Sequence, residues 1–210
     1  MEIKDPRGFL AALSRMGISH YVSEKEGGLT LQRLERQVKG CTRCQLSVAR
    51  KSVVFGEGNR RADLVFVGEA PGEEEDLQGR PFVGRAGKLL DQLIGRVGLD
   101  REDVFICNVL KCRPPRNRDP EPQEVEACKG YLVAQLNLIK PKVICTLGRH
   151  AYNTLFGVDE RITRIRGILT QYGGTKLLPT YHPSFLLRNQ DAIKDAYEDM
   201  DKLKMCLEKK

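Results

Sequence analysis

A chain of 210 residues, 40% apolar and 30% charged, has enough material for one buried core and too much hydrophobicity for a disordered segment. No apolar run approaches the ~20 residues of a membrane span, and residues 1–17 offer no convincing cleavage site, so a cytoplasmic protein is expected. The net charge of +7 favours a polyanionic partner without identifying it, and seven cysteines in such a chain argue for reduced thiols and metal binding over disulfides.

Residues 1–28 read as an irregular or weakly helical, flexible lead-in ending at Gly27-Gly28, and 29–210 as the folded domain. LTLQRLERQVKG (29–40) sets Leu31, Leu34 and Val38 at helical spacing and runs straight into Cys41. ADLVFVGE (62–69) is a short apolar run between a charged turn and a glycine-proline loop, the pattern of a buried parallel strand. Ala86–Gly98 then places Leu89, Leu90, Leu93, Ile94 and Val97 on one helical face. VFICNVL (104–110) is a second strand. RPPRNRDPEP cannot be helical, because its prolines lack donors and restrict the residues before them. Helix resumes at Pro122 and continues to Ile139. VICTLG (143–148) is a third strand, followed by a helix from Arg149 to Phe156, and LLPTYHP (177–183) is a fourth. The tail, 190–207, carries Ile193, Tyr197, Met200, Leu203 and Leu207 on one stripe.

Strands alternating with helices predict a three-layer α/β/α fold around a central four-stranded parallel sheet. Ligands of such sheets bind beyond the carboxyl ends of the strands. Glu69 ends the first strand, Asn108 falls near the end of the second and His182 ends the fourth, so three polar residues far apart in sequence are expected at one rim.

Cys41 and Cys44 form C-x2-C; Cys112 follows after 67 intervening residues and Cys128 after 15 more. Four thiolates can hold either a tetrahedral zinc or an iron–sulfur cluster. Structural zinc usually draws on two short C-x2-C pairs, so the wide second spacing leans towards a cluster. Cys107 and Cys145, within apolar strands, read as core residues. In GEAPGEEED (68–76), Gly68, Pro71 and Gly72 allow a tight turn whose amides can approach a ligand. The run Glu73–Asp76 reads as a solvated acidic turn, yet a carboxylate in a polyanion cleft is costly enough to imply a task for at least one of them. Phe82, flanked by glycines in GRPFVGRAG (79–87), is either a core ring or a base-stacking platform. Asn108 carries a donor and an acceptor matched to a base edge. His20 and His150 lack such context. Two basic groups, Lys111 with Arg113, Arg116 and Arg118, and Arg161 with Arg164 and Arg166, are candidate phosphate contacts.

GEAPGEEED, GRPFVGRAG, NVLKCRPPRNRDP (108–120) and HPSFLLR (182–188), with the four cysteines at these separations, closely resemble the iron–sulfur uracil-DNA glycosylases usually called family 4, over about residues 31–188. The resemblance implies removal of uracil from DNA by cutting the N-glycosidic bond, with a 4Fe-4S cluster on Cys41, Cys44, Cys112 and Cys128. It implies that Phe82 stacks on the flipped base, that Asn108 reads N3–H and O4, and that His182 donates to O2. By the same resemblance the backbone around Glu69 and Ala70 would complete the donor set at O2, Glu75 would lie near C5 against the thymine methyl, and Ser184 with the basic loops would grip phosphate. In the best-known uracil glycosylases an aspartate orients water where this chain has Ala70, so water positioning falls to Glu69, Glu75 or the substrate. GVDERITRIRG (157–167) contains no histidine, which favours ordinary turnover over the covalent link to DNA formed by a related branch. The expected partner is uracil-containing DNA and the expected state a monomer. Residues 1–28 are the candidate contact for a repair or replication-clamp partner. A non-catalytic iron–sulfur DNA-binding module and an enzyme on free nucleotides are the competing readings.

Overall fold

The computed structural model describes residues 29–208, so the lead-in predicted for residues 1–28 lies outside the described residues. Thr30 begins the first helix: its hydroxyl accepts the Arg33 N–H at 3.3 Å and caps α1 (Leu31–Lys39). The buried face of α1 is Leu31, Leu34 and Val38, as the spacing predicts. A short helix, α2 (Leu46–Ala49), and a two-residue strand, β1 (Glu57–Gly58), lead into β2 (Leu64–Gly68), all five residues of which are buried. Then come α3 (Glu73–Gln78), α4 (Arg85–Val97), β3 (Phe105–Asn108) and α5 (Pro122–Ile139). After β4 (Val143–Leu147) follow α6 (Arg149–Phe156), α7 (Ile162–Ile165), β5 (Thr170–Tyr172) and β6 (Thr175–Thr180). The described chain closes with α8 (Pro183–Leu186) and α9 (Ile193–Glu208).

The sheet order is β1-β3-β2-β4-β6-β5. Its four central strands are mutually parallel, with β1 and β5 added antiparallel at the edges. The fold is therefore the expected three-layer α/β/α arrangement, with two edge strands beyond the predicted four. Alternate residues serve opposite layers. Val65, Val67, Cys107 and Ile144 pack with α1, α5 and α6, whereas Leu64, Phe66, Ile106 and Cys145 pack with α4 and α9. Cys107 and Cys145 are fully buried, in keeping with a core role.

Parallel register brings the carboxyl ends together. Gly68 pairs with Asn108 across β2 and β3, and Leu147 pairs with Thr180 across β4 and β6. Glu69, Gly148 and His182 follow within two residues of those ends.

Two sequence expectations need correction. The acidic run of GEAPGEEED is the helix α3, not a solvated turn, and Asp76 within it is buried, accepting the Lys51 and Ser52 N–H groups at 3.0 and 3.2 Å. The basic groups are also smaller than their sequence suggests. Lys111 is buried, its ammonium donating to the Asn108 carbonyl at 2.7 Å and to Gln135. Arg166 is held against the buried Asp199 carboxylate at 2.7 Å. Neither side chain is available to a phosphate.

Candidate active site

A cavity of about 660 Å3 opens at the carboxyl rim of the sheet, and Glu69, Ala70, Glu75, Phe82, Asn108, His182 and Ser184 all line it. Every pocket residue expected from the sequence therefore faces one space. Gly68 makes this convergence sterically possible. A Cβ there would stand 2.3 Å from Asn108 Oδ1 and 2.6 Å from Phe82 Cζ, so the amide and the ring meet over a position that only glycine can occupy. Gly68→Ala is accordingly expected to keep the fold and displace both side chains, which a thermal melt beside ligand-binding measurements would separate.

Phe82 is buried and sits at φ 51°, a strained conformation for an aromatic residue. The surroundings impose it: Phe82 O lies against the first turn of α4, where a Cβ on Gly87 would come within 1.9 Å of it. The ring centroid stands 5.7 Å from that of His182. Glu75 fixes the loop that carries Phe82. Its Oε2 accepts the Gly72 N–H at 3.0 Å, and its Oε1 accepts the Val83 and Gly84 N–H groups at 2.9 and 3.1 Å. With both oxygens engaged by backbone, Glu75 is suited to hold the wall of the cavity and poorly suited to accept a proton.

His182 is the N-cap of α8. The Ser184 N–H donates to Nδ1 at 3.1 Å, and Ser184 Oγ lies 2.7 Å from the same nitrogen. A nitrogen that accepts a backbone N–H carries no proton itself, so the neutral ring must bear its proton on Nε2. Burial, with the Arg188 charge as a second cause, pulls the imidazole down to about 4. The cavity thus contains a neutral imidazole with a free N–H donor. Asn108 is 1% exposed and its Oδ1 has no hydrogen-bond partner. An orphaned buried amide oxygen is expensive, and in a cavity wall it marks the place of a ligand donor.

A family model described as the uracil DNA glycosylase superfamily matches residues 55–203. The chain belongs to the uracil DNA glycosylase superfamily. The type-4 uracil-DNA glycosylase of Thermotoga maritima is 50% identical over 84% of this chain and 94% of its own length. Those of Saccharolobus solfataricus and Archaeoglobus fulgidus are 49% and 44% identical, each over 83% of this chain and 85% and 92% of their own.

Beside the pocket of this superfamily member, Cys41, Cys44, Cys112 and Cys128 line a second, small cavity between α1, α2 and α5. This donor set is compatible with a metal cluster. Burial raises the Cys112 thiol and pushes Cys128 up to about 12, while Arg50 Nη1 donates to Cys112 Sγ at 3.2 Å. Thiolates at such depth require a positive partner, as a metal centre provides. The chain of contacts to the pocket is short, since Lys111, next to Cys112, holds the Asn108 carbonyl.

Sequence reasoning did not single out two groups that line the cavity at the sheet rim. His150 lies in the first turn of α6 with Nε2 3.8 Å from Glu69 Oε2 and 3.4 Å from Asp119 Oδ2. Its placement two residues after Gly148, the glycine that follows β4, was the available signal. Asn117 sits at φ 56° on the rim, with Oδ1 accepting Arg113 Nε at 2.8 Å. No helix among the described residues is long and apolar enough to cross a membrane.

Proposed function

We propose that this chain excises uracil from DNA, cleaving the N-glycosidic bond and leaving an abasic site. The observation that carries this reading is the buried, unpartnered Oδ1 of Asn108, a residue that lines the same cavity as the neutral Nε2–H imidazole. A flipped uracil offers N3–H to that oxygen, while the other end of the same amide donates to O4. Cytosine presents the inverse pattern, an unprotonated N3 and an exocyclic amine, and leaves the amide mismatched. Phe82 supports the face of the base. Unstacking costs a few kcal/mol, which these contacts offset.

As the bond between C1′ and N1 lengthens, its electron pair passes to the base and negative charge gathers on O2. His182 Nε2–H and the backbone around Glu69 and Ala70 are donors suited to that oxygen. Such a donor is worth roughly 2.7–4 kcal/mol when it is fixed in advance. A neutral imidazole suits the task because no proton need move. Glu75 acts through the loop it clamps, which keeps the Phe82 wall close to C5. Ser184 holds the His182 tautomer. With Lys111 and Arg166 withdrawn, and Arg113 and Arg118 paired with Glu73 and Glu124, the exposed Arg116, Arg161 and Arg164 remain as phosphate contacts, and Arg188 on the cavity wall joins them.

Cys41, Cys44, Cys112 and Cys128 hold a 4Fe-4S cluster in this reading. The wide separation of Cys112 and Cys128 in the sequence, unlike a short C-x2-C pair, supports the larger group. A cluster there supplies a rigid link between the Cys41 segment and the Pro-rich loop after Asn108, with no contact to the base. The glycosylase domain is residues 29–210.

The deciding experiment incubates purified protein with oligonucleotides carrying uracil opposite guanine, opposite adenine or unpaired. Free uracil and an alkali-labile site are expected. No release from cluster-loaded protein would remove the enzyme reading. The preparation is expected to be coloured, with iron and acid-labile sulfide in equal amounts; a colourless preparation with stoichiometric zinc would overturn the cluster.

A further inference from the structure

Excision needs an acceptor for the proton of the attacking water, and few groups in the cavity are free to be one. Ala70 has no polar side chain, both Glu75 oxygens are held by backbone N–H groups, and His182 presents a donor. Asp119 stands at the exposed rim, 3.5 Å from Arg149 Nη2. Glu69, the residue after Gly68 at the end of β2, is the carboxylate that remains inside.

Glu69 does not stand alone. His150 Nε2 lies between it and Asp119, at 3.8 and 3.4 Å. The three side chains come from the end of β2, the first turn of α6 and the Pro-rich loop, and their donor atoms all fall within 4.8 Å of one another. The same imidazole nitrogen faces both carboxylates, so the charge and position of each bear on the others. We propose that His150, held by Asp119, is a positioning residue that aims Glu69 as the base for the attacking water, an inference that rests on the uracil-excision reading. In that step the bond between C1′ and N1 breaks with its electron pair leaving on uracil. The water oxygen bonds to C1′, and its proton passes to a Glu69 carboxylate oxygen. Glu69 later releases that proton to solvent, and the departed uracil anion takes one from solvent.

The charges around Glu69 give this arrangement a distinctive signature. Burial raises the Glu69 carboxyl; His150 opposes the rise, Asp119 reinforces it and Arg149 opposes it. Glu75, Arg118, Tyr181, His182 and Arg188 are the other charged or titratable groups lining the cavity. A base must be ionised, so activity falls as pH drops through the Glu69 value. Removing His150 raises that value and moves the acid limb of the rate profile to higher pH. Removing the Asp119 charge lowers it and moves the limb the other way. Loss of a merely structural contact would slow the reaction at every pH without moving the limb.

The test is single-turnover uracil release against pH for wild type, Glu69→Gln, His150→Asn and Asp119→Asn, with oligonucleotide affinity measured separately. Glu69→Gln is expected to lose the acid limb and about 10²-fold or more in rate, the lower end of what a general base contributes. His150→Asn is expected to shift the limb upward and slow release about tenfold at neutral pH with affinity unchanged, and Asp119→Asn to shift the limb downward. An unmoved limb in His150→Asn, or a wild-type limb retained in Glu69→Gln, overturns the inference while leaving uracil excision standing. Wild type that releases no uracil at any pH overturns both. Independently of turnover, the His150 ring resonances followed by NMR at one fixed pH are expected to shift in Glu69→Gln, and unchanged resonances overturn the contact.

Discussion

His182→Ala is expected to slow uracil release by roughly 10²–10³-fold, the cost of losing one fixed donor to a developing oxyanion. The loss should fall on the chemical step, because a ground-state O2 carries little charge and the ring's contribution to initial binding is small. Single-turnover rates at saturating enzyme isolate that step. The variant also removes the cap on α8, which costs about 1 kcal/mol of stability, so melting must be measured beside it. The pH profile offers a second view of the same residue. With its imidazole at about 4, His182 stays neutral at all higher pH, and the active form is the neutral one. His182 should therefore contribute no limb near the ordinary histidine value of ~6.5. His182 should cost activity only as pH falls towards 4, where a proton on Nδ1 would confront the Ser184 N–H. A limb near 6.5 that vanishes in His182→Ala would mean a protonated catalyst, and the neutral-donor mechanism would fall.

The sheet was readable because its strands are buried on both faces. All five residues of β2 and all five of β4 are buried, and each lies between turn-forming segments that mark its ends. The long helix was readable from Pro122 onward because proline at the first position is compatible with only that end. The edge strands were not. β1 has two residues and β5 three, too short for any period to register, although Gly173-Gly174 between β5 and β6 was a hairpin signal. At the site, the residues at strand ends could be gathered from topology alone, since parallel register decides which ends meet. What topology cannot reveal is who stands opposite a charge. Lys111 looks like one more cation in a basic loop until Gln135, far along α5, supplies the acceptor that lets it be buried. Arg166 likewise has its answer in Asp199, and His150 in Glu69 and Asp119. Side-chain partners separated by tens of residues leave no local trace.

Asn108→Leu is expected to abolish uracil excision and, in the same protein, to raise thermal stability. The two effects have one cause. Asn108 is 1% exposed with an acceptor that nothing in the protein satisfies, and a buried unsatisfied group costs about 1–3 kcal/mol. Leucine has nearly the same shape and no polar atom, so the penalty disappears while the space beside Gly68 and Phe82 stays filled. For a chain of this length a gain of that size corresponds to a rise of roughly 2–10 °C in the melting midpoint. Against uracil the substitution strands N3–H and O4 in an apolar pocket, and the transition state loses its fixed base plane. A fall of about 10²-fold or more follows from two lost hydrogen bonds at a dry site. Asn108→Ala separates the contributions: it removes the same polar atoms but leaves a void, so it should match leucine in lost activity and fall below wild type in melting. If Asn108→Leu melted lower than wild type, the amide oxygen would have a partner in the free protein, and the cavity would lose the feature that marks it as a base-reading site.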